Sequence, residues 1–323
     1  MAELVDANRA VLNEILDATH EIWNEGLDRA SYGRYYAAQR ATAWGRSRLS
    51  RTALVDQRHV LASAKEYRFD AVLDGRQIRV LGIGAVFTQP PHRGRGHARA
   101  LLERLLDRAS ADGCDLALLF SEIDPGYYAR LGFAPLETRE ALLRVREDAR
   151  RGAPATLVRA GEDRDLADIA AMNAVRADAF RFHLNRDRDW IQYSIVKRRL
   201  LSGLGPSGLR EVQFFVAEEG ASAVAYVVIL ARGHDWAIDQ LGDRDPSGAR
   251  VGAILQALIA REPSQQRPAL KARLPADFRP PQIEIVSEST PRDVMMIKPL
   301  TIKGTPQTPL EARDILYWHG DLF

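Results

Sequence analysis

Residues 86–98 read Val86-Phe87-Thr88-Gln89-Pro90-Pro91-His92-Arg93-Gly94-Arg95-Gly96-His97-Ala98. Arginines interleaved with glycines suit a bulky anion: Gly94 and Gly96 let backbone amides come close, while Arg93 and Arg95 supply positive charge. Downstream, Ala98, Leu101, Leu102, Leu105 and Ala109 recur at helical spacing, with Arg99, Glu103, Arg104 and Arg108 on the other face. The first amides of such a helix have no carbonyl partner and its dipole is positive at that end, so turn and helix together favour a pyrophosphate. Upstream, Ile78, Val80, Leu81, Ile83, Val86 and Phe87 form an apolar, glycine-spaced run that predicts a buried strand ended by Pro90 and Pro91. Neither of the two commonest phosphate loops is present. No Lys-Ser or Lys-Thr follows the glycines, and G-x-G-x-x-G is absent.

The spacing Arg93-x-x-Gly96-x-Ala98 after a strand resembles the acyl-CoA signature of the GNAT superfamily of N-acyltransferases. A second apolar strand over residues 114–120, followed by Tyr128-Ala129-Arg130-Leu131-Gly132-Phe133, is similar to the tyrosine-to-glycine-aromatic element that closes that superfamily's core. The resemblance implies an α/β fold, a mixed and largely antiparallel sheet flanked by helices, with acetyl-CoA as co-substrate and no metal. It implies that Val86, Phe87 and Thr88 offer backbone hydrogen bonds to the pantetheine arm and the thioester carbonyl. The amides of Arg93, Gly94, Arg95, Gly96, His97 and Ala98 would hold the pyrophosphate. Tyr128 matches the family's tyrosine position and is expected to protonate the CoA sulfur, a phenol with an ordinary pKa of about 10 being protonated at neutral pH. Tyr127 is the adjacent competitor, and a tyrosine merely packed beside the cofactor is the plainer alternative.

Acyl transfer to an amine also needs a proton acceptor, because a lysine-like amine has a pKa of about 10.4. Ser121 and Glu122 resemble a Ser-Glu pair that contacts the cofactor in the enhanced-intracellular-survival type of acetyltransferase. Glu122 could instead be a base acting through water, or a plain surface carboxylate. The survival type also places its C-terminal carboxylate in the active site as the proton acceptor, and this sequence ends in Phe323. That resemblance therefore offers Phe323 as a second catalytic candidate. His92 and His97 flank the arginines; a solvated loop residue and a backbone amide donor are the expected roles.

Positioning these residues takes more than one hydrophobic core, since 323 residues exceed what one core usually serves. An expected last strand over residues 141–145 is followed by Arg146-Glu147-Asp148-Ala149-Arg150-Arg151-Gly152-Ala153-Pro154, a charged run ending in Gly and Pro that reads as a linker. The expected division is 1–148, a catalytic GNAT domain binding acetyl-CoA, and 149–323, a degenerate GNAT-like domain with a docked C-terminal tail. In the second half, strands over 214–217 and 223–230 and a third near 236–238 precede Val251, Ile254, Leu255 and Leu258, which repeat the helical spacing of Ala98, Leu101, Leu102 and Leu105. Its turn reads Asp243-Arg244-Asp245-Pro246-Ser247-Gly248: carboxylates repel a pyrophosphate and Pro246 lacks an amide donor. A strand over 293–298 and a short helical tail over 312–318 are expected to complete this half. Tandem GNAT-like halves resemble the survival type, without the sterol-carrier-like third domain of those proteins.

Composition narrows the function classes. The chain is 46% hydrophobic and 27% charged, with a net charge of +2 and arginines dispersed among acids, which gives no support to a nucleic-acid partner. A single cysteine, Cys114, excludes an internal disulfide or a Cys-rich metal site. With neither a signal-peptide pattern nor a membrane-length apolar run, a cytoplasmic location without membrane partners is expected. The leading reading is an acetyl-CoA-dependent N-acetyltransferase acting on a primary amine of a small molecule or an exposed lysine. A non-catalytic acyl-CoA-binding or interaction module is the alternative, and monomer and homo-oligomer both stay open.

Overall fold

The computed structural model describes residues 2–146, 157–275 and 278–323, so the expected linker falls from residue 147 onward outside the described residues. The chain opens with β1 (Glu3–Asp6), α1 (Arg9–Trp23), α2 (Arg29–Ala41), α3 (Ala43–Arg48) and β2 (Leu49–Asp56). Then come β3 (His59–Leu73), β4 (Arg76–Thr88), α4 (His97–Ala111), β5 (Leu116–Ser121), α5 (Gly126–Ala129) and β6 (Ala134–Pro135). The next stretch holds β7 (Glu140–Val145), β8 (Leu157–Ala160), α6 (Leu166–Ala177), β9 (Phe182–Leu184), α7 (Arg188–Leu204), β10 (Glu211–Glu219), β11 (Ser222–Arg232) and β12 (Asp235–Asp243). The last elements are α8 (Ala249–Ile259), β13 (Ala269–Ala272), β14 (Ile283–Ser289), β15 (Val294–Pro299) and β16 (Ile315–Leu316).

The expected fold class is the one observed, with one strand changing hands in each direction. Met1–Glu137, Arg292–Glu311 and Phe323 make one compact unit; Thr138–Pro291 and Ala312–Leu322 make the other. The first sheet runs β1-β2-β3-β4-β5-β15-β6 and the second β14-β7-β13-β12-β11-β10-β8. The strand expected to close the first half, β7, therefore lies between β14 and β13 of the second sheet, and β15 pairs with β5 of the first. The division at 148/149 is corrected accordingly. One local expectation also changes: residues 312–321 form 3-10 turns around β16 instead of a helix.

In the first unit the Asp74-Gly75 turn, both residues at positive φ, joins β3 to β4 in a hairpin. One face of the sheet, through Leu54, Ala64, Leu81, Ile83 and Leu119, buries the stripe Leu101, Leu102 and Leu105 of α4. Each of those α4 leucines is 0% exposed, contributing roughly 1.5–3 kcal/mol and fixing where the helix begins. The opposite face receives Tyr32, Tyr35 and Tyr36 of α2 and Trp44 of α3, all buried as core residues. In the second unit β11 alternates: Val227 and Ile229 meet Val251, Ile254 and Leu255 of α8, while Tyr226 and Val228 meet Leu166 and Ile169 of α6. The two units repeat one motif. β4 and β5 are parallel and joined through α4, as β12 and β13 are parallel and joined through α8.

Candidate active site

β4 and β5 pair only over Val80–Ile83 against Leu116–Leu119. Beyond that the strands part: β5 stays paired on its other edge with β15 as far as Ser121 opposite Val294, while β4 continues on β3. The parting follows a bulge in β4. Lys65 faces Gly84 and Ser63 faces Phe87, so Ala85 and Val86 together oppose Ala64, and Ala85 sits at φ +47°. A left-handed alanine costs on the order of 1–2 kcal/mol, and nothing in the sequence marks it. Among the described residues, 84–88, which include Val86, Phe87 and Thr88, have no ladder partner on the side facing β5.

That free edge leads into the arginine-glycine turn. Gly94 and Gly96 lie at φ +75° and +79°, and a Cβ on either would meet nothing within 4 Å, so backbone conformation rather than crowding selects glycine. Gly96 is the N-cap of α4, with no side-chain cap bond. The Ala100 amide bonds the Gly96 carbonyl at 2.9 Å, and the amides of His97, Ala98 and Arg99 precede it without a carbonyl partner in the helix. Arg93 donates from Nε to the Thr88 carbonyl at 3.3 Å and lies 6.0 Å over the Phe87 ring, tying the turn to the strand end. Arg95 is exposed, and the His92 and His97 rings meet edge to face at 6.0 Å.

The corresponding end of the second unit is filled. Gly248, at φ +71°, caps α8 as Gly96 caps α4. The Asp243 carboxylate, however, accepts from the amides of Arg250 at 2.9 Å and Val251 at 3.1 Å, taking the place an external anion would need. A Cβ on Gly248 would lie 2.5 Å from the Phe278 ring, so this turn is packed from outside. Burial raises the Asp243 pKa, opposed by those backbone hydrogen bonds.

Tyr128 lies in α5, 8% exposed, between Tyr127 at 5.0 Å and Phe133 at 6.1 Å between ring centroids. Burial, with a smaller push from Tyr127, raises its pKa to about 12. Ser121 is buried and its hydroxyl donates to the Ile123 carbonyl at 2.9 Å, so the side chain already holds the turn after β5; Glu122 is exposed. Phe323 packs its ring against Tyr67 at 4.6 Å, Phe120 at 5.3 Å and Phe69 at 5.4 Å. Gly82 and Gly84 make room for it: a Cβ would come 2.8 Å from the Phe323 ring at the first and 2.9 Å from its main-chain oxygen at the second. The glycine spacing of this strand is the sequence signal of that close approach. The residues flanking Phe323 in the tail are held separately, with Arg186 pairing Asp321 and the Lys197 ammonium donating to the Leu322 carbonyl at 2.8 Å.

A cavity near the start of β4, lined by Arg48, Arg68, Arg79 and Cys114, is not part of this site. Its Arg68 already bonds Glu66 at 3.1 Å. Among the described residues no group of three or more His, Cys, Asp or Glu could hold a metal ion, and no helix is long and apolar enough to cross a membrane.

Residues 8–136 match the family model described as an acetyltransferase (GNAT) domain. Over those residues the chain is similar to a GNAT domain. Among solved structures, a probable N-acyltransferase from Enterococcus faecalis superposes with a TM-score of 0.68 at 13% identity, covering 94% of this chain and 74% of that one. Eis1 from Mycobacterium abscessus gives 0.60 at 16% identity, covering 94% and 74%. A tandem GNAT protein from the clavulanic acid biosynthesis pathway gives 0.52 at 11% identity, covering 93% and 99%. At such identities the likeness carries the fold, and the fold is tandem GNAT. Among curated protein sequences none matches the chain significantly.

Proposed function

We propose that the chain is an acetyl-CoA-dependent N-acetyltransferase whose acceptor is the primary amine of a small molecule or an exposed lysine. One observation carries this reading: the unpaired β4 edge runs into an open glycine turn and an uncapped helix N-terminus, whereas the same position in the second unit is filled by Asp243 and Phe278. Acetyl-CoA would supply an acetyl group activated as a thioester. Residues 84–88 offer backbone groups along the pantetheine arm, and the amides of residues 94–98 face the pyrophosphate, that of Arg93 being bonded to the Pro90 carbonyl at 3.3 Å; being fixed already, they need no reorientation during reaction. Tyr128 gives its proton to the sulfur as the carbon–sulfur bond breaks, a role its raised pKa protects. The α-carboxylate of Phe323, over Gly84, takes the proton of the amine whose nitrogen–carbon bond forms. It is preferred to the exposed Glu122 because Phe323 is half-buried, its main-chain oxygen close over Gly84 and its ring anchored on Tyr67 and Phe120. Titration calorimetry with CoA, followed by an acceptor panel read as thiol release from acetyl-CoA, tests the proposal. Micromolar CoA binding without thiol release on any amine would defeat the enzymatic reading.

A further inference from the structure

The sheet face that carries Phe323 also holds a buried cation that the chemistry above does not use. Arg51 on β2 lies opposite Lys65 on β3, which lies opposite Gly84 on β4; Ala53 lies opposite Ser63 in the next row. Side chains two apart on a strand share a face, so Arg51, Ser63 and Lys65 share it with Tyr67, whose ring meets Phe323.

Arg51 is 2% exposed and Ser63 is 0% exposed. The guanidinium lies 5.7 Å over the Tyr36 ring, yet among the described residues its Nε and Nη1 and the Ser63 hydroxyl have no hydrogen-bond partner. Buried Arg186, in the other unit, pairs with Asp321. Buried donors without partners are rare because they lose hydration and gain nothing in return, so a guanidinium in this state is shaped for a group that arrives. That group is an anion. The Lys65 ammonium lies 5.8 Å from the same Tyr36 ring, and by the same alternation this face carries no acidic side chain within residues 49–53 and 63–69.

We propose that Arg51 receives a carboxylate of the acceptor, which makes the acceptor an amino-acid-like amine rather than a polycation. The proposal rests on the acyltransferase reading. Strands lie about 4.8 Å apart, so Arg51 is on the order of 10 Å along its row from Gly84, and its own side chain spans much of that distance. A molecule whose amine faces Phe323 over Gly84 therefore presents to Arg51 a group only a few bonds away from the amine. The planar fork of a guanidinium matches a carboxylate in two parallel hydrogen bonds.

The test uses matched amines with and without the carboxylate: L-lysine with cadaverine, L-phenylalanine with phenethylamine, and 4-aminobutyrate with butylamine. The expected result is a kcat/KM at least tenfold higher for the carboxylated member of one or more pairs. Arg51→Gln should bring that ratio to within about twofold of one, and Arg51→Lys to an intermediate value, because charge survives but the fork does not. Thermal melts establish that the variants fold. A parent ratio at or below one, or a ratio unchanged in Arg51→Gln, overturns the proposal. So does a preference for succinyl-CoA over acetyl-CoA that Arg51→Gln abolishes, since the carboxylate would then belong to the donor. Where no pair is turned over, calorimetric titration of the carboxylated compounds decides, and absence of binding to the parent overturns it. Loss of the acyltransferase reading shows separately, as failure of the parent to bind CoA or as CoA binding with no thiol release on any amine, and the same titrations with and without CoA still decide on Arg51.

Discussion

At the scale of single residues, the two groups proposed to handle protons make opposite demands and the fold meets them by different means. Tyr128 must keep its proton, and burial between Tyr127 and Phe133 raises its pKa to about 12. Tyr128→Phe removes one hydroxyl with little volume, so turnover should fall by roughly a hundredfold or more while CoA affinity, measured by calorimetry, stays within a few-fold. The sign of its pH linkage follows from the same shift. An unfolded phenol ionises near 10.0 and the folded one near about 12, so the contribution to stability is whole below pH 10 and lost on the way to pH 12. The phenol stays protonated from neutral pH to pH 10, and no loss of turnover in that interval should trace to it. In the proposed role Phe323 must present a carboxylate, and the two glycines Gly82 and Gly84 leave room for its ring and main-chain oxygen. Deleting Phe323, or extending it by a short tag, should abolish most thiol release with CoA binding retained; full activity in both forms would remove Phe323 from the mechanism.

At the scale of elements, the turn before α4 should tolerate damage structurally and fail functionally. Gly96→Val forces a β-branched residue to φ +79°, and Arg93→Glu puts a carboxylate beside the bare amides. Both should weaken CoA binding tenfold or more at a small cost in melting temperature. Asp243→Ala, at the filled turn of the second unit, should leave CoA affinity unchanged but lower stability by roughly 1–3 kcal/mol, since it strips the Arg250 and Val251 amides of their acceptor. This contrast was legible in the sequence because charge and glycine spacing are local: arginines between glycines at one turn, aspartates and a proline at the other. The bulge was not, because a left-handed alanine looks like any other residue in an apolar strand. Ala85→Val should disturb the parting of β4 from β5, and both melting temperature and CoA affinity should drop, since a branched side chain strains φ +47° further.

For the whole molecule, the sequence displayed the tandem repeat but hid which strand closes which sheet. The helical stripes and the turns recur within a few dozen residues, whereas the pairing of β5 with β15 joins positions far apart in the chain, and no local pattern encodes a partner at that distance. β7 and β15 look alike as sequence: each is a short apolar strand after a loop. The burial of Arg51 is illegible for a related reason, since a lone arginine in a strand reads as solvated until its neighbours across the sheet are known. The exchange has a measurable consequence. β15 buries Met295, Met296 and Ile297, at 1%, 0% and 4% exposure, and fills the side of β5 away from β4. At roughly 1.5–3 kcal/mol for each such side chain, these residues alone match much of the about 5–15 kcal/mol by which a domain is stable, and without them β5 becomes an open edge. Residues 1–148 expressed alone should therefore show no cooperative urea transition and no CoA binding. A chain joining 1–137 to 292–311 through a flexible linker should recover a single urea transition, with circular dichroism as the readout. A cooperative, CoA-binding 1–148 fragment would mean that β15 is dispensable to the first sheet, and that the site needs only what lies before the expected linker.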